Sequence, residues 1–325
     1  MRDPEGIARA IRAAETVAVC SHINPDGDTV GSVLAMRLAL LSLGKKVQVF
    51  CQDKVPDNLF FLSGAGEIRP PEKAEGSFDL LLSVDASAPD RLGTCWEKLI
   101  PLSAHTAQMD HHGTNPLFME VNSVDGHAAA TSTMMLEQMR AMNVSMTREI
   151  AECLYTGIST DTGNFSFNCT DAESFRAMSD LMEAELPLAD LSFRLFRQRS
   201  REQLLLLGKA ISSLRFYASG ELAVMKLTRA DFDACGAKGE HADTIVNYGL
   251  ETVGTKMALL AREDDRGQIK FSLRAVPPLC VDGIAKRLGG GGHPQAAGIS
   301  MAGTLDECAS RVTAEMVRAL EEVKK

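Results

Sequence analysis

Long apolar runs are missing from this sequence. No stretch approaches the roughly 20 residues that span a bilayer, and the opening Met1-Arg2-Asp3-Pro4-Glu5 lacks the hydrophobic centre of a secretory signal. The expectation is a cytoplasmic protein with no membrane partner. Paired cysteines are missing too: the 8 cysteines are scattered without a Cys-x-x-Cys, which argues against zinc clusters and disulfide frameworks and for reduced, mostly buried thiols. Net positive charge is also lacking. A formal charge of -9 supplies little of the sequence-independent attraction that drives binding to long duplex nucleic acid, although a local basic patch can hold a short anionic ligand. There is no internal repeat and no low-complexity segment. What is present is a chain of 325 residues, 45% hydrophobic and 24% charged, long enough for two domains that each bury a core.

One stretch organises the rest: His22-Ile23-Asn24-Pro25-Asp26-Gly27-Asp28-Thr29-Val30-Gly31-Ser32. It follows the apolar run Thr16 to Cys20, which reads as a buried strand, and leads into Val33 to Leu41, which has the length and character of a helix packed on a sheet. Pro25 and Gly27 force turns between the imidazole and the two carboxylates, so three metal ligands can point inward; an Asx-type turn in which Asp28 caps the helix is the competing reading of this stretch alone.

The pattern recurs along the chain. Phe78 to Val84 is a near-continuous apolar run ending in Asp85, and Ala104 to Met109 runs less cleanly into Asp110-His111-His112. Further strands are expected at Lys45 to Cys51, and helices at 5–14, Arg91 to Leu99, Ala128 to Met142, Glu149 to Thr160 and Asp171 to Ala184. Such alternation predicts a doubly wound α/β domain with a parallel sheet. Residues 187–214 read as a helical connection, continuous over Leu191 to Leu214, whose arginines suit a solvated face better than a phosphate-guiding strip. From residue 215 the pattern shifts to short strands at Leu222 to Leu227, Lys256 to Arg262 and Gln268 to Arg274, around a helical stretch His241 to Tyr248. Asp264 to Gly267 forms a hairpin turn, and a final helix covers Leu305 to Val323. The expected organisation is an α/β domain over residues 1–186, a helical linker over 187–214 and a smaller α+β domain over 215–325.

The polar residues that end strands or sit in tight loops are His22, Asp26, Asp28, Asp85, Asp110, His111, His112 and Asp161. Five carboxylates at one end of a sheet repel one another unless something compensates, and divalent cations do so. Oxygen-rich sets with a few imidazoles favour Mn²⁺ or Mg²⁺ over zinc, and two ions roughly 3.5–4 Å apart would use this many ligands.

These residues bring the chain to a known family. It resembles the DHH phosphoesterases, and among them the oligoribonucleases (nanoRNases) that also dephosphorylate 3'-phosphoadenosine-5'-phosphate. The motifs are His22-x-x-x-Asp26-x-Asp28, Val84-Asp85-Ala86-Ser87, Asp110-His111-His112, Thr160-Asp161-Thr162-Gly163, and the run Gly289 to Gly292 before His293-Pro294, which is similar to the signature of the companion DHHA1 domain. The resemblance implies that His22 and Asp26 hold one metal, that Asp28, His111 and Asp161 hold the other, and that Asp85 bridges them. Two Mn²⁺ ions are implied, with Mg²⁺ or Co²⁺ as substitutes. By the same likeness Asp110 orients its neighbours, His112 faces the substrate phosphate, and Arg274 grips a nucleotide phosphate.

The glycines carry their own argument. Such a run is expected as a loop, not as helix or strand, whose backbone N–H groups at Gly290, Gly291 and Gly292 approach an anion while His293 adds a donor. Thr131-Ser132-Thr133 reads as a helix cap, and Arg91 as either a substrate contact or a brace. The implied activity is release of mononucleotides from short single-stranded RNA or dinucleotides. A cyclic-dinucleotide phosphodiesterase, a single-strand exonuclease of the same superfamily and a non-catalytic nucleotide sensor are the competing functions, and the exposed sheet edge is where a homodimer would pair.

Overall fold

The computed structural model describes residues 1–323; the last two residues of the 215–325 range, and of the chain, lie outside them. The chain divides into two compact units, Met1–Gln198 and the remainder from Arg199.

In the first unit, α1 (Pro4–Ala13) leads to β1 (Thr16–Cys20), α2 (Gly27–Ser42), β2 (Lys46–Phe50), β3 (Ile68–Arg69) and β4 (Phe78–Val84). Next come α3 (Thr94–Leu99), β5 (Ser103–Asp110), β6 (Val121–Val124), α4 (Thr131–Ala141), α5 (Arg148–Asp161), α6 (Ala172–Glu183) and α7 (Leu188–Ser192). Among the described residues the six strands lie in the order β3-β2-β1-β4-β5-β6, and each neighbouring pair is parallel. The sheet is buried on both faces. Val17, Val19, Leu80 and Leu82 pack in the core that includes residues of α1, α2, α4 and α5, while Ala18, Cys20 and Leu81 pack with Cys95 and Leu99 of α3 on the other side. This two-sided burial explains why β1 and β4 read as near-continuous apolar runs, each large side chain adding roughly 1.5–3 kcal/mol.

Strand order reverses between β1 and β4, and such a switch point is where the loops after two neighbouring strands part and leave a crevice. Cys20 is in register with Ser83, so the loops carrying His22 and Asp85 leave the sheet side by side.

The helices begin and end close to expectation, with informative differences. Helix α2 starts at Gly27, capped by Asp26, whose side chain accepts from Thr29 N–H; Asp28 therefore sits in the first turn and is not the cap. The continuous helix expected over Leu191 to Leu214 is interrupted. After α7 a π-helical turn, Phe193–Arg197, ends in extended backbone at Gln198, and Ser200 and Gln203 form a reciprocal capping box that starts α8 (Arg201–Ser212).

The second unit carries α8, β7 (Arg215–Tyr217), β8 (Leu222–Leu227), α9 (Arg229–Cys235), α10 (Ile245–Leu250), β9 (Met257–Glu263) and β10 (Ile269–Ala275). It ends with α11 (Asp282–Arg287), β11 (Gly291–His293), β12 (Ala296–Met301) and α12 (Leu305–Glu322). Its sheet has the order β11-β12-β10-β9-β8-β7 and is mixed, with β8 and β9 parallel and the other pairs antiparallel. The glycine run is not wholly a loop: Gly291, Gly292 and His293 form the edge strand β11 against Gly298, Ala297 and Ala296. Glycine is needed for the approach, since a Cβ on Gly290 would stand 2.1 Å from the Gly298 carbonyl oxygen. Among the described residues no helix is long and apolar enough to cross a membrane.

Candidate metal centre

The candidate residues converge at the C-terminal end of the parallel sheet. His22, Asp26 and Asp85 bring ligand atoms within 4.8 Å of one another, as do Asp28, His111 and Asp161, and as do Asp85, His111 and His112. Asp85 belongs to two of these groups. It follows β4 directly with a left-handed backbone, φ 57°, a conformation that aspartate tolerates better than most residues and that marks strain at a working position.

The imidazoles are oriented by backbone. His22 Nδ1–H donates to the Ile23 carbonyl at 2.7 Å and His111 Nδ1–H to the Ala128 carbonyl at 3.3 Å. A carbonyl only accepts, so the neutral form of each ring carries its lone pair on Nε2. Those Nε2 atoms face carboxylates: His22 lies 3.4 Å from Asp85, and His111 lies 3.4 Å from Asp161 and 3.6 Å from Asp85.

Asp28 is fully buried. Its oxygens accept from the first amides of α4, Thr131 N–H at 2.6 Å and Ser132 N–H at 2.9 Å. Helix α5 comes close enough to complete the enclosure because residue 157 is glycine: a Cβ there would stand 2.0 Å from Ser132 Oγ and 2.5 Å from Asp28 Oδ1. Two hydroxyls complete the frame around Asp85. Thr29 Oγ1 donates to Oδ2 at 2.7 Å and stands 2.5 Å from His22 Nε2, while Thr131 Oγ1 donates to Oδ1 at 3.1 Å. Thr131 and Ser132, which read as a simple cap, are thus working residues, and Thr29 gave no signal at all. The only sequence clue was the Thr-Ser-Thr cluster at a helix start.

The electrostatics show what the cluster lacks. Burial, followed by the charge of Asp85, pushes the Asp28 carboxyl up to about 7. Burial, followed by Asp28, Asp26 and Asp85, pushes Asp161 up to about 10. Burial opposes ionisation of Asp85 too, but the hydrogen bond and charge of His22, with His111 and Thr29, hold its carboxyl below the ordinary range. Among the described residues no lysine or arginine pairs with Asp28, Asp85 or Asp161. Buried carboxylates without cationic partners, faced by imidazole lone pairs, fit divalent cations.

His112 differs from the other two. Its Nδ1–H donates to Asp110 Oδ1 at 2.7 Å, and that bond outweighs burial and raises the imidazole above its ordinary value. Arg91 stands beside His22, its guanidinium 3.4 Å from Nδ1, and its carbonyl accepts from Ile23 N–H, so its backbone braces the first motif. Arg194, one of the linker arginines, pairs with Asp190 at 2.9 Å. His105 pairs with Glu120, away from the cluster.

On the second unit, Arg274 and His293 occupy one row across the sheet, since both are in register with Ala296 of β12; opposed residues project to the same face. Among the described residues no carboxylate lies within ion-pair distance of the Arg274 guanidinium, and Asp243 bonds Arg262 instead. Gly290, Gly291, Gly292 and His293 are adjacent to this row, and β11 is exposed.

A parallel sheet with paired His and Asp groups at its switch point, followed by a mixed-sheet unit, defines a class. The DHH family, N-terminal domain, matches residues 16–158, and the DHHA1 domain matches residues 222–324. The chain belongs to the DHH family of phosphoesterases, as its motifs indicated. Among its relatives, the bifunctional oligoribonuclease and PAP phosphatase NrnA of Thermus thermophilus is 33% identical over 309 residues, covering 94% of this chain and 91% of the relative. The protein of the same name from Bacillus subtilis is 24% identical over 298 residues, 91% and 92% of the two chains. The crystal structure of an exopolyphosphatase-related protein from Bacteroides fragilis shares the fold, with a TM-score of 0.90, 24% identity and coverage of 98% of this chain and 96% of that one.

Proposed function

We propose that this chain is a divalent-metal-dependent phosphoesterase that hydrolyses very short RNA oligonucleotides to mononucleotides and also dephosphorylates 3'-phosphoadenosine-5'-phosphate. The observation that carries the reading is the pair of ligand groups that meet around Asp85, in a chain whose relative over most of its length bears the name oligoribonuclease and PAP phosphatase.

His22 and Asp26 would hold one ion and Asp28, His111 and Asp161 the other, with Asp85 shared. The donor set is oxygen-rich with two imidazoles, which suits Mn²⁺, with Mg²⁺ or Co²⁺ as substitutes. When bound, such a pair supplies Lewis-acid chemistry: it offsets charge on phosphoryl oxygens and makes water acidic enough to serve as nucleophile near neutral pH.

The chain's own residues do the rest. Ile23 and Ala128 carbonyls keep the Nε2 lone pairs of His22 and His111 turned toward the ions. Asp110 keeps a proton on His112 Nδ1, so that the raised imidazolium also carries Nε2–H. That group donates to a phosphoryl oxygen as negative charge grows there, the moment at which a fixed donor lowers the barrier. Arg274, with no carboxylate partner, takes a substrate phosphate through its planar fork, and Gly291, Gly292 and His293 add backbone and imidazole donors; Gly290, expected as a further donor, spends its N–H on the Ala285 carbonyl at 2.8 Å.

The test is turnover of a length series of 5'-phosphorylated RNAs from the dinucleotide upward, beside 3'-phosphoadenosine-5'-phosphate and cyclic di-AMP, in Mn²⁺ and then in chelator. Rapid mononucleotide release from the shortest RNAs, lost on chelation and in a folded Asp85→Ala variant, is the expected result. Turnover of the cyclic dinucleotide alone would move the function to second-messenger hydrolysis, and binding without turnover would make the chain a sensor.

A further inference from the structure

Immediately after Asp161 the backbone makes an unusual reversal. Gly163, Asn164 and Phe165 are consecutive left-handed residues, with φ 56°, 54° and 62°. For an aromatic residue that conformation is strained and persists only where the surroundings over-determine it. They do so here. Asn164 N–H donates to the Ser159 carbonyl at 2.6 Å, the amides of Ser166 and Phe167 both donate to the Thr162 carbonyl at 2.9 Å, and Thr170 N–H donates to the Phe167 carbonyl at 3.0 Å. The segment also returns to its origin, since the Cys169 thiol lies 3.5 Å from the Asp161 carbonyl.

The two aromatic residues of this loop have opposite fates. Phe165 turns inward against the core and tilts at 31° to Phe175, with centroids 5.4 Å apart. Phe167 lies on the backbone of Gly163: a Cβ added to that glycine would stand 2.4 Å from two ring carbons. Yet Phe167 is 58% exposed. One side of its ring thus rests on the chain, much of the residue meets water, and both backbone polar groups are bound.

We propose that Phe167 is a stacking platform for a nucleobase of the substrate and so a specificity-determining residue. The assignment rests on the phosphoesterase reading above. A rigidly held aromatic residue in the loop that starts from a candidate phosphoryl site suits a planar group covalently tied to the phosphate, and in a short RNA that group is a base. Stacking on an aromatic ring tolerates every base, because each has a π-face.

Kinetics on 5'-phosphorylated diadenylate test this with wild type, Phe167→Ala, Phe167→Leu and Phe167→Trp. Each protein is also assayed on the same diester lacking one base at either position, and its Mn²⁺ affinity and melting temperature are checked. Phe167→Ala and Phe167→Leu should raise KM by roughly 5- to 150-fold, the range for one lost base–aromatic stack, with kcat within about twofold. Phe167→Trp should restore KM, and the penalty should vanish on one of the two abasic diesters.

An unchanged KM in Phe167→Ala, with wild type active, would overturn the stacking role and leave the oligoribonuclease reading standing. Full activity in Phe167→Leu would do the same, as would an equal loss on both abasic diesters. A Phe167→Ala protein that changes only its sedimentation would overturn it too, making the ring a contact between copies of the chain. A wild type inactive on all short RNAs would overturn the oligoribonuclease reading, and the platform with it.

Discussion

His112 Nδ1 donates to Asp110 Oδ1 across 2.7 Å, and the other oxygen of the fully buried Asp110 accepts from Asn115 Nδ2–H at the same distance. The Asp110 bond is the largest influence on His112 and raises its pKa. In the proposed mechanism the protonated imidazole is the donor, so activity should fall as pH rises through that raised value. Asp110→Asn should lower kcat by roughly 10²- to 10⁴-fold and move the alkaline fall to lower pH. A pH–rate profile at saturating Mn²⁺ checks both, and an unmoved alkaline limb would remove His112 from the role.

Metal removal should make stability pH-dependent in a definite direction. An unfolded aspartate titrates near about 3.9, whereas in the folded chain Asp28 is pushed up to about 7 and Asp161 to about 10. Above about pH 4 the metal-free folded chain binds protons that the unfolded chain does not, so stability declines as pH rises. His22, where burial lowers the pKa but the hydrogen bond and charge of Asp85, with Ile23 and Asp26, together raise it, contributes in the same sense: its stabilisation is complete below its unfolded value and lost above its folded one. Asp85, held low, is ionised in both states across this window and adds no slope. The melting temperature in chelator should therefore be higher at about pH 5 than at about pH 8, and Mn²⁺ should raise it more at about pH 8, because deprotonated ligands bind metal. A chelated protein that grows more stable with pH would contradict burial as the cause.

Thr131 can be dissected because its two bonds come from different atoms. Thr131→Val removes the hydroxyl on Asp85 and leaves the amide on Asp28. Mn²⁺ affinity, measured by calorimetry, should fall roughly tenfold, the lower range for lost supporting bonds at metal ligands, and Thr131→Ser should recover it. Equal affinities in all three proteins would leave the Thr131 hydroxyl without a role in metal binding; it is not a cap either, since Ala130 holds that position.

Arg274 is half-buried, and its burial lowers the guanidinium pKa. Arg274→Ala should raise KM by roughly 10- to 100-fold, as loss of a charged hydrogen bond does, with kcat within about twofold. Arg274→Lys should recover only part, since a point charge cannot reproduce the fork. Steady-state kinetics on diadenylate separate the two parameters, and a fall in kcat alone would place Arg274 in the chemistry.

Several of these predictions concern residues the sequence named, and the reason is local. Strands β1 and β4 were legible because a strand covered on both faces is mostly apolar, so the polar residues just beyond its tip stand out, and His22 and Asp85 stood out in this way. Strand β6 did not: its four residues, Val121–Val124, include two polar ones and sit at the sheet edge. The two-residue strand β3 is too short to show a pattern.

What the sequence determined by itself was the order of buried strands and amphipathic helices and the chemistry of the residues that follow them. Hydrophobic periodicity and turn residues act over a few positions and are written in the chain. Tertiary structure decided which distant atoms meet. Thr131 reaches Asp28 across 103 residues of chain, a pairing set by how α4 enters the sheet's end and not by any pattern around either residue. It also turned the glycine run into the strand β11, because the neighbouring strand β12 offers backbone partners that no local propensity supplies.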